Sequence, residues 1–231
     1  VMARYIESAD PQTFSVGVAD AGSYYVRVEK AGYNHVDGQY ALTATFAIGG
    51  AAAYESEPND TRQTADAMAM NGAITGQLVS VSDIDYYALA VGDAGVLTLN
   101  LDLSANAGPL RLTLYDIAGS LISQFMTGAD AAYHVAAPQA GSYHVAISNG
   151  DSNPYSVSYS GAYTLTASFS PGGLAGYEIE SNDTRATANS LVLGSPIVGA
   201  PSYAADVDYY AATASGGGLL SVTFDSLTSV Y

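Results

Sequence analysis

A repeat with a period of 123 residues limits more than anything else what this chain can fold into. Glu55-Ser56-Glu57-Pro58-Asn59-Asp60-Thr61-Arg62 returns 123 residues later as Glu178-Ile179-Glu180-Ser181-Asn182-Asp183-Thr184-Arg185. The same offset carries Asp83-Ile84-Asp85-Tyr86-Tyr87 onto Asp206-Val207-Asp208-Tyr209-Tyr210. It also carries Tyr40-Ala41-Leu42-Thr43-Ala44-Thr45-Phe46 onto Tyr163-Thr164-Leu165-Thr166-Ala167-Ser168-Phe169. Ala21-Gly22-Ser23-Tyr24-Tyr25-Val26 recurs at 119 residues as Ala140-Gly141-Ser142-Tyr143-His144-Val145, so the loop after it is four residues longer in the second copy. Several separated motifs sharing one period mark a structural unit used repeatedly. Residues 1–49 read as the C-terminal part of one copy, 55–170 as a complete copy, and 178–231 as the N-terminal part of a third. Gly/Ala-rich linkers, 50–54 and 171–177, join them, and each ends in Tyr directly before the acidic motif. By the same offsets Val1 aligns with Ser120 and Tyr231 with Gly108. The favoured expectation is a window onto a longer repeating polypeptide. Head-to-tail completion of the partial copies between identical subunits is the alternative.

The complete copy reads as strands. Leu97, Leu99, Leu101 and Leu103 alternate with polar residues, as do Leu110, Leu112 and Leu114. Tyr143, Val145 and Ile147 alternate in the same way, followed by Tyr163, Leu165, Ala167 and Phe169. A period of two places each set on one face of a sheet, one face buried and the other wet. Turn signals separate the runs: Gly92-Asp93-Ala94-Gly95, Ala107-Gly108-Pro109, Ala118-Gly119, Asn149-Gly150 and Asn153-Pro154. The expectation is an all-β fold of tandem antiparallel β-sandwich (jelly-roll-like) repeats of about 123 residues. A short helix over 61–70, capped by Asn59 or Asp60, is the one helical element expected.

The acidic motifs carry the chemistry. Glu55, Glu57 and Asn59 are spaced by two and point the same way in an extended segment, which Pro58 enforces. Asp60 adds a carboxylate, and Asp83 and Asp85 form a second acidic pair just before a Tyr-Tyr strand. Clustered carboxylates repel one another unless a cation intervenes. Ca²⁺ takes roughly 6–8 oxygen ligands, which carboxylates and an Asn carbonyl supply. Zn²⁺ or Cu²⁺ would draw on His or Cys. Two plainer readings stay open here: Asn59-Asp60-Thr61 as a helix cap or Asx-turn, and Asp83 and Asp85 as solvated loop acids.

Charge and composition narrow the partners. The 22 Asp and Glu outweigh 6 Lys and Arg, for a formal charge of -16. That excess disfavours nucleic acid and anionic membrane surfaces. No apolar run approaches the roughly 20 residues of a membrane span, so no membrane insertion is expected. The absence of Cys removes disulfides, thiolate metal sites and a Cys nucleophile, and is compatible with export.

Taken in order, Glu-x-Glu-Pro-Asn-Asp-Thr, Asp-x-Asp-Tyr-Tyr, Ala-Gly-Ser-Tyr-x-Val and a closing Tyr-x-Leu-Thr resemble the bacterial pre-peptidase C-terminal domain. That family includes relatives of the collagen-binding domains of clostridial collagenases. The resemblance covers essentially the whole chain as a partial, a complete and a partial copy. It implies a secreted, non-catalytic β-sandwich, often appended to extracellular peptidases, whose acidic linker segment binds Ca²⁺ in the collagen-binding relatives. Carried over by motif, it implicates Glu55, Glu57, Asn59, Asp60, Asp83 and Asp85, and in the third copy Glu178, Glu180, Asn182, Asp183, Asp206 and Asp208. Ser181 stands where that motif has Pro, which implies a less rigid segment there.

Other features point away from catalysis. The histidines His35, His134 and His144 are scattered, and His144 corresponds to Tyr25 in the other copy. There is no Gly-x-Ser-x-Gly elbow, His-Glu-x-x-His motif or phosphate-binding Gly-x-Gly-x-x-Gly. Asn59-Asp60-Thr61 and Asn182-Asp183-Thr184 match the glycosylation pattern by accident, and 149–153 reads as a loop lacking the later Glu of an EF-hand. Most of the 19 Tyr follow from strand propensity. The function expected is therefore a calcium-stabilised extracellular, secreted or cell-surface repeat protein forming a fibre, filament or adhesin stalk. Its partners would be neighbouring repeats or identical subunits in a head-to-tail array. The alternative is an appendage that holds a secreted enzyme on collagen, polysaccharide or another extracellular matrix component.

Overall fold

The computed structural model describes residues 13, 15–18, 20–28, 40–103, 108–150, 162–203 and 205–225. His35, the Asp151–Asn153 loop segment, the Asn153-Pro154 turn and both chain ends lie outside them. Nine strands build the complete copy: β1 (Asp66–Met68), β2 (Ala73–Gln77), β3 (Ile84–Val91), β4 (Gly95–Leu103), β5 (Leu110–Tyr115), β6 (Leu121–Thr127), β7 (Ala131–Ala137), β8 (Gly141–Asn149) and β9 (Ala162–Pro171). They form two sheets, one in the order β1-β3-β8-β5-β6 and the other β2-β9-β4-β7. Every pairing is antiparallel except β1 with β3. The expected all-β sandwich is what the chain forms.

The alternation read from sequence sets the packing. Leu97, Leu99 and Leu101 of β4 face inward with Tyr163, Leu165 and Ala167 of β9. From the other sheet come Tyr87, Leu89 and Val91 of β3, Leu112 and Leu114 of β5, and Tyr143, Val145 and Ile147 of β8. These residues make one apolar cluster that draws on both sheets. At roughly 1.5–3 kcal/mol for each large apolar side chain removed from water, that cluster is the main source of stability.

The helix expected over 61–70 is absent. Thr61 and Thr64 instead close a tight turn, with the Thr64 amide on the Thr61 carbonyl at 3.0 Å and the two hydroxyls 2.8 Å apart. The chain then enters β1, whose Asp66 and Met68 lie opposite Tyr87 and Leu89 of β3. Burial of Met68 against the core and the pairing to β3 outweigh a weak helical propensity.

The partial copies keep local pieces of this plan. In the third copy β10 (Asn189–Ser190) pairs in parallel with β11 (Tyr210–Ala211), matching the β1–β3 pairing residue for residue at the 123 offset. Residues 23–28 and 40–47, the counterparts of β8 and β9, form no strand. Strands need ladder partners. In the complete copy β8 lies between β3 and β5, and β9 between β2 and β4. No counterpart of β2 to β5 occurs among residues 1–49.

Candidate metal centre

Alternation along β3 places an acid where the core begins. Asp85, Tyr87, Leu89 and Val91 all point inward, so the first inward position of the strand is a carboxylate with no exposure to solvent. Asp83 precedes it by two and is also buried. Both are therefore something other than solvated loop acids.

The segment after the linker is laid beside them by backbone pairing. A 3-10 turn at Ala51–Ala53 leads into Tyr54, which bridges Thr75 of β2, and the Glu55 amide donates to the Thr75 carbonyl at 3.0 Å. The buried Glu55 carboxylate accepts from the Gln77 amide at 2.7 Å and from the Tyr87 hydroxyl at 3.3 Å. The Tyr163 hydroxyl lies 2.7 Å from that of Tyr87 and also donates to Asp85. Glu55 and Asp85 lie close enough for each to shift the other's titration.

Around this core the remaining candidates converge. The carboxylates of Glu57, Asp83 and Asp85 each offer an oxygen within 4.8 Å of the others, a grouping that could hold a metal ion. Asp83 is fixed by the Val79 amide, and Asp60 accepts from the Ile84 amide at 3.5 Å. Glu57, Asp60 and Asp83 line a depression shared with Pro58, Val79 and Ser80. Asn59 is fully buried; its amide N–H donates to Glu57 at 3.2 Å, but its side-chain Oδ1 has no partner. Asp85 Oδ1 is likewise without one. A buried oxygen left unpaired costs on the order of 1–3 kcal/mol, so this side chain is neither a helix cap nor a passive filler. Its burial also removes Asn59 from any surface role.

Electrostatics follow from burial. Desolvation raises Asp85 far above the ordinary carboxylate range, and the neighbouring Glu55 charge adds to the effect. Desolvation raises Glu55, with the hydrogen bond from Asp85 working against it. Glu57 and Asp83 are also raised, mainly by burial, and then by Asp83 and Asp60 respectively. An acid whose folded value is raised binds its proton more tightly in the folded state. The stability it contributes is present below its ordinary value, near 4, and is lost as pH rises through the raised value. Without a cation, the melting temperature of the sandwich should therefore fall between pH 5 and pH 8, and saturating divalent cation should flatten or reverse that slope. Thermal melts across pH with and without the ion check this. A metal-free melting temperature that rises over this range would contradict the burial of these acids.

The third copy reproduces the scaffold. Glu178 accepts from the Ala200 amide at 2.5 Å and the Tyr210 hydroxyl at 2.9 Å, as Glu55 does from Gln77 and Tyr87. Asp206 accepts from the Ser202 amide, Asp183 from the Val207 amide at 3.4 Å, and Glu180 from the Asn182 amide at 3.1 Å. Glu178, Glu180 and Asp208 are the three that converge within 4.8 Å here. Asp206 lies close enough for its charge to raise Glu180 and Asp208. Burial pushes Glu178 and Glu180 up to about 7. The fully buried Asn182 again leaves Oδ1 unpaired, as do Glu180 Oε1, Asp206 Oδ1 and Asp208 Oδ1.

Several contributors escaped the sequence reading. Asp66 accepts from the Ser56 amide at 2.7 Å and from Asn59 Nδ2 at 3.3 Å, which turns Asn59 Oδ1 away from Asp66. Asn189 does the same for Ile179 and Asn182, at 2.6 and 3.4 Å. Asp66 and Asn189 are 123 residues apart, so the offset alone could have flagged them. Tyr163 and Tyr87 supply the buried hydroxyls. Gly76, opposite Tyr163 in the β2–β9 ladder, leaves room for them; a Cβ there would lie 2.4 Å from the Tyr163 hydroxyl and 2.6 Å from Glu55 Oε2. Gly199 holds the matching place beside Tyr210 and Glu178.

No protein-family model matches this chain, and no curated protein matches it. Solved structures do. The pre-peptidase C-terminal domain of collagenase from Bacillus anthracis is 18% identical over 45% of this chain and 93% of that one, with a TM-score of 0.36. The secreted serine protease VesC from Vibrio cholerae is 12% identical over 45% of this chain and 22% of that one, with a TM-score of 0.35. A carbohydrate-binding module, CBM36, in complex with calcium and xylotriose is 16% identical over 45% and 93%, with a TM-score of 0.30.

Proposed function

We propose that this chain is a non-catalytic array of sandwich modules whose joints are fastened by Ca²⁺, serving outside the cell as a structural or tethering element. The observation that carries this reading is the pair of acidic clusters, each beside a fully buried Asn, Asn59 or Asn182, whose side-chain carbonyl oxygen is unpaired. Their donors are all oxygen, as a hard cation requires, and their number suits Ca²⁺ better than the smaller, water-retaining Mg²⁺.

Position supports the role at the joint. β9 ends at Pro171, and only six residues separate it from Glu178. Gly172 and Gly173 take φ of +76° and +75°, a region favourable to glycine, and turn the chain into the 3-10 turn Leu174–Gly176. Tyr177 and Glu178 then pair with Val198. An ion held between residues 178–183 and 206–208 would fix the incoming linker to the module it enters. The residues bind and orient the ion; nothing in the cluster offers a nucleophile with a base.

Calorimetric titration tests the reading. Ca²⁺ should bind with a dissociation constant of about 10⁻⁴–10⁻³ M, typical of extracellular modules, and more tightly than Mg²⁺. Asp66→Ala, which frees the Asn59 amide without touching the carboxylates, should weaken binding at one of the two clusters by roughly 10–100-fold. Absence of any saturable heat with millimolar Ca²⁺ would remove the ion from the account.

A further inference from the structure

The outer face of an antiparallel sandwich meets water, so an apolar residue there is ordinarily bare. Val96 and Ala136 are not. They lie opposite each other in the β4–β7 ladder, on the side away from the core that Leu97 and Val135 enter. Yet they are only 8% and 5% exposed. The linker that leaves the sandwich folds back over this spot. Gly173 lies above Val96, where a Cβ would stand 3.7 Å from Val96 Cγ2. The ring of the half-buried Tyr177 rests 6.3 Å from that of His134, the next outward residue of β7 after Ala136. His134 is held in turn by Thr98 at 3.0 Å.

The other joint repeats the arrangement. At the 119 offset Gly17 corresponds to Ala136, and Tyr54 and Tyr177 are 123 residues apart. Gly17 lies against the linker that follows it. A Cβ there would stand 3.3 Å from the Ala51 carbonyl oxygen, 3.1 Å from Tyr54 Cβ and 2.9 Å from the Glu55 carbonyl oxygen. Each linker therefore rests on β7, or on its counterpart, in the copy it leaves. Its closing Tyr meanwhile bridges the copy it enters, Tyr54 to Thr75 and Tyr177 to Val198.

A second contact lies on the edge strand β6. Ser123 pairs with the inward-facing Leu114, shares its face, and is 3% exposed. Its hydroxyl shares a hydrogen bond at 3.2 Å with that of Ser202 in the third copy, itself 8% exposed. The Ser202 amide also donates to Asp206, so the segment that reaches β6 belongs to the third-copy acidic cluster. β6 and β7 meet across the two sheets, where the Phe125 and Tyr133 rings stack at 4.1 Å. Linker and acidic-cluster segment thus hold the same edge of the sandwich.

We infer that the β6–β7 edge of each repeat is a docking surface for the repeat that follows it in the chain, and that this contact fixes their relative orientation. The Gly/Ala-rich linker is then a packed bracket rather than a flexible tether. The interface is made by protein groups alone, so it goes beyond the Ca²⁺ reading and does not rest on it. Because both joints use matching residues, the same step recurs from repeat to repeat.

The chain has no Cys, so Ser123→Cys combined with Ser202→Cys adds the only two thiols. Hydroxyls 3.2 Å apart mark positions that a disulfide can join with little movement. In the dilute 231-residue protein under a mild oxidant, the pair should close within the monomer, in EDTA and in Ca²⁺ alike. Loss of titratable thiol without a doubling of mass reads this. Ser123→Cys with Ser195→Cys, at an exposed place in the same third copy, samples what a swinging linker allows. That pair should close at least about tenfold more slowly. Tyr177→Ala, outside the 55–171 sandwich, removes the ring from His134 and should slow closure of the first pair severalfold. Melts of the reduced variants that match the parent report that each is folded. Equal closure rates for the two pairs overturn the proposal. So does closure confined to Ca²⁺, which would make the ion the source of the order, or closure indifferent to Tyr177→Ala. A calorimetric failure to bind Ca²⁺ would leave rapid closure in EDTA untouched, so the two readings fail separately.

Discussion

Saturating Ca²⁺ should raise the melting temperature of the 55–171 sandwich by about 10 °C over the same protein in EDTA. A ligand at about a hundred times its dissociation constant stabilises the state it binds by about 2.7 kcal/mol. For a domain of this size each kcal/mol is worth roughly 3–5 °C. The ion binds the folded state selectively because its ligands come from two separate segments, 55–60 and 83–85. Only the packing of Glu55 against β2 and β3 brings them together. Burial holds the metal-free carboxylates protonated against their preference, so the metal-free fold begins at a disadvantage that the ion removes. Asp85→Asn separates the two contributions. It should abolish the Ca²⁺ response and, at pH 8, raise the metal-free melting temperature, because a neutral amide replaces a buried acid. Superimposable melts in Ca²⁺ and EDTA would leave the clusters as ordinary buried acids. A metal-free Asp85→Asn that melts lower than wild type would show that the acid is structural in its own right.

Much of this was legible in the sequence, for reasons that belong to particular residues. The Leu97–Leu103 and Tyr163–Phe169 alternations are decisive, since every second side chain is large and apolar, and they became β4 and β9. The acidic motifs were legible because their spacing recurs at 123 residues. β6 and β7 were not named: Leu121–Thr127 mixes Ser and Gln with apolar residues, and Ala131–Ala137 has small side chains that give no periodic signal. The short β1 was hidden behind a helix-compatible stretch, and only its pairing with β3 settles its form. Depth was hidden as well. Asp85 reads like any loop acid until β3 is known to begin one residue earlier, at Ile84, with its inward face starting at Asp85. Asp66 was invisible for a related cause, because its role is to hold Asn59 across seven residues rather than to meet an ion.

Leu165→Ala should destabilise the sandwich by about 2–5 kcal/mol, while Leu42→Ala, the same substitution in the same motif, should cost the monomer less than about 0.5 kcal/mol. Leu165 is fully buried between Ile74 and Leu101, and truncation leaves a cavity that two close-packed sheets cannot refill. Leu42 is 58% exposed, with no strand on either side. Denaturant unfolding of the two variants compares them directly. Near-identical segments, Tyr40-Ala41-Leu42-Thr43-Ala44 and Tyr163-Thr164-Leu165-Thr166-Ala167, would then differ in energetic weight only through the partners they find. Equal costs at the two positions would mean that Leu42 is packed as closely as Leu165, against its 58% exposure.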